Sequence, residues 1–390
     1  MKIGRWARLL LAAAPMLAGV LAGCGNFWEP PNGGGGGGGG TGVSSGIFYV
    51  LNQETSQIAG YSIVKGTLTP VTNSPYTLPG SAKPLAIAVA PNGAFLYVST
   101  AGSGIYLYTI GSGGALTLGN SSGAISADLA ASMQVDSTNS WLVEAGPNLT
   151  EVLAIAISPT TGMVTSKTEQ TVALPAATVN QLAISPDNKN VFVALGSSGT
   201  EVIPFAATNS TPFGTASNIP LKGISAVSVA VDPSNRLLYI GEIAVSSGTS
   251  NTGGVRAFSY SSLPTQSEAS GSPYASGGLA PYAIQPSADG NYVYVANRTV
   301  SGSSAGNISA FSFTATGTAY SLTALGSPVS AGTTPVGLAE DSLGNYLLVV
   351  DSGGSPDLEG YTMSAGALTS TLSSATGTDP VQVGAIAALP

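Results

Sequence analysis

A short segment recurs six times along this chain and constrains its fold more than any other feature. Each copy is an apolar run, a turn of the Pro-Asp/Asn-Gly type, and a second run rich in Tyr and Val. The turn residues supply the positive φ of a tight hairpin, so each copy predicts two antiparallel strands. The copies are Pro84–Ser99, Ala130–Ala145 (the weakest), Val179–Ala194, Ala226–Gly241, Pro281–Ala296 and Pro335–Val350.

The spacing of the hairpins identifies the larger unit. They are roughly 45–55 residues apart, and a third apolar run, such as Gly104–Ile110 or Gly254–Tyr260, follows each one. A further turn then leads into a fourth run. Four short strands in a repeat of this length are typical of a β-propeller blade. Two stacked β-sandwiches are the alternative architecture.

The two ends of the repeating region complete each other. Ile47–Asn52 matches a second strand and Gln57–Ile63 a third, but no first strand precedes them. A matching first strand lies at the other end, in Pro380–Leu389. We therefore predict an all-β chain, a seven-bladed β-propeller with four antiparallel strands per blade, in which the C-terminal strand pairs into the N-terminal blade and leaves no exposed sheet edge. Stacked sandwiches do not predict such a split blade.

Composition limits the chemistry. Charged residues make up 8% of the chain, against roughly 25% in an average protein, and the net charge is −8. Three of the 11 basic residues lie in the first eight positions, so the body has no basic surface for nucleic acid. There is no histidine and only one cysteine, which excludes the commonest general base and any internal disulfide. We expect no cofactor and a monomeric protein.

The N-terminus predicts export and a lipid anchor. A basic start is followed by a short apolar run, Leu9–Ala22, which is interrupted by Pro15 and resembles a signal peptide. The run ends in Leu-Ala-Gly-Cys, with Cys24 last, which resembles the lipobox of bacterial lipoproteins. In that family the peptide is cut before the cysteine, which then carries lipid. Gly25 follows, where an aspartate would imply retention at the inner membrane, so the resemblance implies the outer membrane. An ordinary secretion signal is the alternative.

These features divide the chain into three parts. Residues 1–23 are the predicted signal peptide, 24–44 the lipidated cysteine and a flexible linker, and 45–390 the propeller. The linker contains Gly33–Gly40, and polyglycine behaves as a flexible coil. The predicted location is the cell envelope, anchored through Cys24, on a face that the sequence leaves open.

The repeat pattern resembles that of the seven-bladed propeller lactonases, whose type members are 6-phosphogluconolactonases, and of the related YVTN surface-layer repeats. The resemblance covers residues 45–390. In the lactonases one blade carries an acidic residue after its Tyr-Val strand and the next blade an arginine, both facing the channel. Glu242 and Arg298 are the corresponding residues here, although Glu242 follows Tyr239 one position earlier than Arg298 follows Tyr294. The resemblance implies Glu242 as base and Arg298 as electrophile.

This chain departs from the lactonase pattern at two other channel positions. Where the family has "GPRH", this chain has Ser225-Ala226-Val227-Ser228, and Thr178–Gln181 replaces histidines one blade earlier. A lactonase needs a group that polarises the carbonyl and a base that activates water. The departures remove the family's usual partners of the carbonyl-polarising group and of the base.

A set of aligned positions predicts a polar ring at one mouth of the channel. These positions come three residues after the aromatic position of each second strand, and five of the seven are polar. Such a ring could bind a small molecule or simply be wetted by the channel. Its members are Asn52, Thr100, Gly146, Leu195, Glu242, Asn297 and Asp351, of which Asn52, Thr100, Asn297 and Asp351 are the candidate ligand-binding residues.

The remaining charged and aromatic candidates have simpler interpretations. Asp187 and Asp289 are predicted to form turns, Arg256 to face solvent and Trp141 to pack in the core. Glu340, Asp341 and Asp351 offer oxygen ligands to Ca²⁺, but no Asp-x-Asp-x-Asp-Gly loop is present and no metal site is predicted.

Two hypotheses of different classes follow. The first is a membrane-anchored propeller that binds a small molecule or an envelope protein without efficient catalysis. The second is a lactonase that hydrolyses a sugar lactone or a similar cyclic ester with Glu242 and Arg298. A purely structural envelope role is the third possibility.

Overall fold

The computed structural model describes residues 44–121, 123–146, 150–165, 169–175, 178–244, 253–265, 267–317, 319–375 and 385–390. The predicted signal peptide, Cys24 and the glycine linker lie outside these ranges. Within them the chain is built from antiparallel strands, with three short 3₁₀ segments, Pro79–Ser81, Ser112–Gly114 and Tyr260–Ser262. None of the helices in the described ranges has the length and apolar character needed to cross a membrane.

The strands group into seven blades in chain order. Blade 1 contains β1 (Ser44–Asn52), β2 (Gln57–Val64), β3 (Thr67–Pro70) and β4 (Tyr76–Thr77), with β29 (Ile386–Ala388) from the other end of the chain. Blade 2 contains β5 (Pro84–Val89), β6 (Phe95–Thr100), β7 (Gly104–Ile110) and β8 (Leu116–Leu118). Blade 3 contains β9 (Ser132–Val135), β10 (Trp141–Ala145), β11 (Glu151–Ala156) and β12 (Gln170–Ala173). Blade 4 contains β13 (Gln181–Ile184), β14 (Asn190–Ala194), β15 (Thr200–Pro204) and β16 (Ser217–Ile219).

The last three blades have longer strands. Blade 5 contains β17 (Ile224–Val231), β18 (Leu237–Ala244), β19 (Gly254–Ser259) and β20 (Tyr274–Ala275). Blade 6 contains β21 (Leu279–Pro286), β22 (Tyr292–Thr299), β23 (Ala305–Thr316) and β24 (Ala319–Ala324). Blade 7 contains β25 (Val329–Glu340), β26 (Tyr346–Gly353), β27 (Leu358–Ser364) and β28 (Ala367–Ser374). Blades 6 and 7 share one continuous sheet because the start of β25 pairs with β23.

The hairpin prediction is confirmed at every repeat. The first and second strands of blades 2 to 7 pair in antiparallel register across each turn. The turn residues all adopt φ between 54° and 68°, which favours glycine and asparagine. They are Gly93, Asn139, Asn188, Asn235, Gly290 and Gly344.

The C-terminal strand occupies the predicted place. Ala388, Ala387 and Ile386 pair with Phe48, Tyr49 and Val50, so β29 is the first strand of blade 1. Each blade's first strand contacts that of the next blade, and β29 contacts both β25 and β5. The order of contacts among the first strands thus returns to its start, which places these strands around the axis of the propeller and excludes stacked sandwiches.

The core lies between neighbouring blades. Trp141 is 1% exposed and packs with side chains of β13 and β14, as predicted. Aromatic hydroxyls also connect blades: the Tyr49 hydroxyl donates to the carbonyl of Gly114 at 2.8 Å, and that of Tyr97 to the carbonyl of Gly162 at 2.8 Å. Because each blade buries its faces against two neighbours, the side chains of second strands are covered rather than wetted.

Candidate functional site

Glu242 lies near the end of β18 and is held by an arginine on the neighbouring strand. The Arg256 guanidinium donates from Nε to Glu242 Oε1 and from Nη2 to Oε2, each at 3.1 Å. Both residues are buried, with relative exposures of 1% for Glu242 and 5% for Arg256. A bidentate bond of this kind is strong and fixes the carboxylate in one orientation.

The expectation that Arg256 faces solvent is wrong. Arg256 is opposite Ile240 in the β18–β19 pairing, so its side chain shares a face with Ile240 and, two residues on, with Glu242. Ile240 packs against side chains of blade 4. The position therefore directs Arg256 into the gap between blades 4 and 5, where Glu242 is its partner.

The ion pair extends outward to the surface. Arg256 Nη1 donates to Glu268 Oε2 at 3.0 Å, and the exposed ammonium of Lys222 binds the other oxygen of Glu268. Burial lowers the pKa of Arg256, but Glu242 and Glu268 outweigh it and raise that pKa above its usual value. Partial burial raises the pKa of Glu268, but Lys222 and Arg256 together bring it below its usual value. Two acids and two bases thus neutralise one another.

Arg298 lies on β22 and is half-buried. Its guanidinium carbon is 4.7 Å from the ring centroid of Tyr282, in a cation–π contact. Along β22, Val295 packs towards blade 5 and Tyr294 towards blade 7. Alternation places Arg298 on the face of Tyr294, whereas Glu242 faces blade 4. The structure therefore directs Glu242 and Arg298 into different gaps between blades and does not bring them together.

The seven ring positions are all buried, so the exposure expected of them is wrong. They lie at the ends of second strands, one strand away from the axis, where neighbouring blades cover them. Thr100 Oγ1 donates to the carbonyl of Gly104 at 2.8 Å, and Asn297 Nδ2 donates to the carbonyl of Ser276 and to Asn307 Oδ1, both at 2.7 Å. The buried members are Asn52, Thr100, Gly146, Leu195, Glu242, Asn297 and Asp351. That any of them binds a ligand stays a prediction.

Asp351 differs from Glu242, the other acidic ring member, because no basic side chain in the described part of the chain binds its carboxyl group. It is fully buried beside Gly332, and neither carboxyl oxygen has a hydrogen-bond partner in the described part of the chain. Burial, with smaller contributions from Glu359 and Asp357, raises the pKa of Asp351 to about 8. Burial therefore favours the protonated form of Asp351.

Glu144 is a second buried acid, which the sequence analysis missed. It is fully buried on β10, with no hydrogen-bond partner for either carboxyl oxygen among the described residues. Burial, followed by the charges of Asp128 and Glu169, raises the pKa of Glu144 to about 8. The signal was present in the repeat, because the aligned residues of the other blades are all valine or isoleucine. They are Val50, Val98, Val193, Ile240, Val295 and Val349.

The acidic residues considered for Ca²⁺ do not form one site. Asp351 is opposite Pro335 and Glu340 is opposite Leu347 in the β25–β26 pairing. The five residue steps from Pro335 to Glu340 span roughly 16 Å of strand, so the two carboxyls lie at opposite ends of the blade. Among the described residues, no group of three or more His, Cys, Asp or Glu side chains is arranged to hold a metal ion.

A cavity of about 440 Å³ lies along the first strands, where the channel was predicted. Glutamines on these strands bridge blades: Gln134 Oε1 accepts from the amide of Ile184 at 2.8 Å, and Gln181 Oε1 from the amide of Val229 at 3.0 Å. Among the described residues, the lining includes the acids Glu340 and Asp341 and contains no lysine or arginine. The channel therefore suits an uncharged or cationic small molecule better than an anion.

Comparison with known proteins agrees with this architecture. The lactonase, 7-bladed β-propeller family matches residues 42–181. A protein from Bacteroides fragilis provisionally identified as a 6-phosphogluconolactonase is 16% identical, with a TM-score of 0.67 over 90% of this chain and 100% of that one. The periplasmic gluconolactonase of Pseudomonas aeruginosa is 16% identical, with a TM-score of 0.64 over 89% of this chain and 99% of that one.

Other comparisons agree with the propeller architecture and do not establish an activity for this chain. A protein from Bacteroides uniformis with the same provisional identification is 18% identical, with a TM-score of 0.65 over 88% of this chain and 99% of that one. No curated protein sequence matches significantly. At such low identity the structural matches establish the fold. The chain is a seven-bladed β-propeller whose fold resembles that of the lactonase propellers.

Proposed function

We propose that this chain is a lipid-anchored envelope propeller that binds a ligand or a partner protein and does not hydrolyse lactones through Glu242 and Arg298. The observation that carries this proposal is the buried ion pair between Glu242 and Arg256. A general base must reach the proton of an attacking water. Glu242 has both oxygens bound by Arg256 and 1% exposure, so it lacks that access.

The anchoring part of the proposal rests on the N-terminal sequence. A basic start, an apolar run and Leu-Ala-Gly-Cys occur in the order of a lipobox, and the glycine linker would let the propeller tilt freely at the membrane. In a bacterial host, wild-type chain is expected in the outer-membrane fraction and Cys24→Ser in the soluble periplasmic fraction. Equal distribution of both would contradict a lipid anchor on Cys24.

The binding part rests on the character of the channel. Its described lining contains glutamine, serine and carboxyl groups and no basic side chain. Such a lining supplies hydrogen bonds and repels anions, so the partner we propose there is a small uncharged molecule. An envelope protein bound on a loop face is the other form of the same function, and nucleic acid is excluded by the acidic balance of the chain.

A lactonase is the second candidate, and the observation that favours it is the match of residues 42–181 to the lactonase family. Catalysis by Glu242 would require Arg256 to release the carboxylate, and catalysis by Arg298 would require its guanidinium to leave Tyr282. In the structure Arg256 binds both oxygens of Glu242, and the Arg298 guanidinium lies against the Tyr282 ring.

One assay separates the two candidates. The full mature chain is incubated with glucono-δ-lactone and with 6-phosphogluconolactone, and hydrolysis is compared for wild type, Glu242→Gln and Arg298→Ala. The binding proposal predicts the background rate for all three. Turnover far above background that both substitutions abolish would establish the lactonase instead.

A further inference from the structure

A second and larger cavity lies on the face formed by the hairpin turns. Its volume is about 1210 Å³, and the turns of blades 4 to 7 line it, from Pro186 in blade 4 to Gly344 in blade 7. In blade 5 the turn at Asn235 and the residue Glu242 are at opposite ends of β18. This hairpin-face cavity is therefore remote from the end of the propeller that carries Glu242 and Arg298.

Tyr294 in the wall of this cavity has an unsatisfied hydroxyl. The residue is fully buried and lines the cavity, and its hydroxyl has no hydrogen-bond partner in the described part of the chain. Tyr49 and Tyr97 occupy the same repeat position as Tyr294. Their hydroxyls donate to the carbonyls of Gly114 and Gly162, each of which lies in the turn before the fourth strand of the next blade. The repeat thus provides an internal comparison for Tyr294.

The shape of the corresponding turn in blade 7 explains the missing partner. Between β27 and β28 the chain turns tightly through Ala365 and Gly366, both of which line the cavity. Ser364 pairs directly with Ala367 across this turn. The tight turn directs no carbonyl to the Tyr294 hydroxyl, and Tyr294, Ala365 and Gly366 all line the cavity.

A carboxyl group lines the same cavity as this hydroxyl. Glu340 lines both the hairpin-face cavity and the channel, and its charge acts on Tyr294. Glu340 Oε2 accepts from the amide of Ala288 at 2.9 Å. Burial is the main cause that raises the pKa of Glu340 to about 7, with Asp289 and Asp341 adding to it against the Ala288 hydrogen bond. Near neutral pH Glu340 can therefore both donate and accept hydrogen bonds.

The other lining groups decide the class of ligand. No described lysine or arginine lines the cavity. Lys189 and Arg236, on the turns of blades 4 and 5, are paired with Asp187 and Asp232, so the lining offers an anion no basic partner. Asp187 and Asp289 are already occupied in their own turns, by Ser185 and by Ser287 and Asn291, which leaves them poorly placed to bind a cation. The groups that remain to hydrogen-bond a ligand are the Tyr294 hydroxyl and the Glu340 carboxyl, and apolar side chains lie beside them. This combination suits a neutral molecule rich in hydroxyls.

We propose that the hairpin-face cavity is a binding site for a neutral, hydroxyl-rich ligand of oligosaccharide size, with Tyr294 and Glu340 as its central hydrogen-bonding residues. The site adjoins the channel through Glu340, which lines both cavities, whereas Tyr294 lines the hairpin-face cavity.

Calorimetric titration of the full mature chain tests this site with maltotriose, cellotriose and chitotriose as neutral probes, glucose 6-phosphate as the anionic probe and spermidine as the cationic one. At least one neutral probe is expected to bind more tightly than either charged probe. Tyr294→Phe removes only the hydroxyl and is expected to weaken that binding about 5–10-fold. Its unfolding midpoint should not fall, since no protein hydrogen bond is lost.

Tyr97→Phe is the matched control. It removes an aligned hydroxyl that donates to Gly162, so it is expected to lower the unfolding midpoint by about 1–3 °C and to leave the affinity unchanged. The proposal is overturned if no neutral probe binds, if a charged probe binds best, or if Tyr294→Phe binds like the wild type. In the last case a ligand-binding propeller would still stand, with its site elsewhere.

Discussion

Arg256 and Glu242 form a buried bidentate ion pair between blades 4 and 5, with both hydrogen bonds at 3.1 Å. Removing two charges from water costs free energy that their attraction only partly returns. Arg256 also donates to Glu268, and Lys222 donates to Glu268, which adds to the compensation. Glu242, the residue that the resemblance to lactonases implies as base, is thus held in this network.

Arg256→Met is expected to lower the free energy of unfolding by about 3–5 kcal/mol, because it leaves the Glu242 carboxylate buried without a partner. Urea denaturation measures the change. Glu242→Leu combined with Arg256→Met should recover most of the loss, since no charge then remains buried.

Lys222→Met is the control for this prediction. It removes the exposed end of the same network and should cost less than about 1 kcal/mol. A loss from Arg256→Met no larger than that from Lys222→Met would contradict the structural role given to the buried pair.

Glu144→Val should stabilise the propeller, and more so at higher pH. The carboxyl has a pKa of 4.5 when solvated and about 8 in the fold, so between these values the folded state holds a proton that the unfolded state releases. The free energy of unfolding therefore falls as pH rises through this window, by up to about 1.4 kcal/mol per pH unit. We expect Glu144→Val to be more stable than wild type by about 2–4 kcal/mol at pH 8 and by about 1 kcal/mol at pH 5.

The measurement is urea denaturation of both proteins at several pH values. Glu54→Gln removes an exposed carboxyl and serves as the control, with no change in slope expected. A stabilisation by Glu144→Val that is the same at pH 5 and pH 8 would contradict a buried, protonated Glu144.

The sequence repeat made the fold predictable. It does not show which side chains of neighbouring blades contact each other, and the incorrect predictions concern those contacts. Turn residues such as Gly93 and Asn188 have local requirements, so the sequence locates every hairpin. The partner of a side chain depends instead on register and on the neighbouring blade. Arg256 was expected at the surface because nothing in its own strand indicates that it shares a face with Glu242. The ring residues were expected to contact water because the sequence shows that they are polar. It does not show how far they lie from the propeller axis.

Gly162→Ala should destabilise the contact between blades 2 and 3. Gly162 has φ of +68°, and a Cβ there would lie 2.8 Å from Phe95 Cδ1 and 2.9 Å from Leu107 Cδ1. Gly113→Ala is a matched control, with φ of +71° and nothing within 4 Å of the added atom. Both variants strain the backbone, by about 1–2 kcal/mol, but only Gly162→Ala also forces core side chains apart, for a further 1–3 kcal/mol. Equal unfolding free energies for the two variants would contradict the packing of blade 2 on this turn.

Deleting residues 385–390 should destabilise the whole propeller, because β29 is the first strand of blade 1. The deletion removes the pairing with Phe48, Tyr49 and Val50 and the buried Ala385 and Ile386. Lost hydrogen bonds of about 1 kcal/mol each and the Ile386 side chain together predict a loss of at least about 4 kcal/mol. The exposed edge of β1 should also promote self-association, which size-exclusion chromatography detects.

Ile386→Ala separates side-chain packing from strand pairing in this prediction. It keeps the backbone of β29 and should cost about 2–4 kcal/mol without promoting self-association. A peptide of residues 380–390 added in excess should restore the stability of the truncated chain, because β1 again has a strand to pair with. The truncated chain could instead stay monomeric and unfold at the same urea concentration as the wild type. That result would show that β1 needs no partner strand and would contradict the pairing of the two ends of the chain.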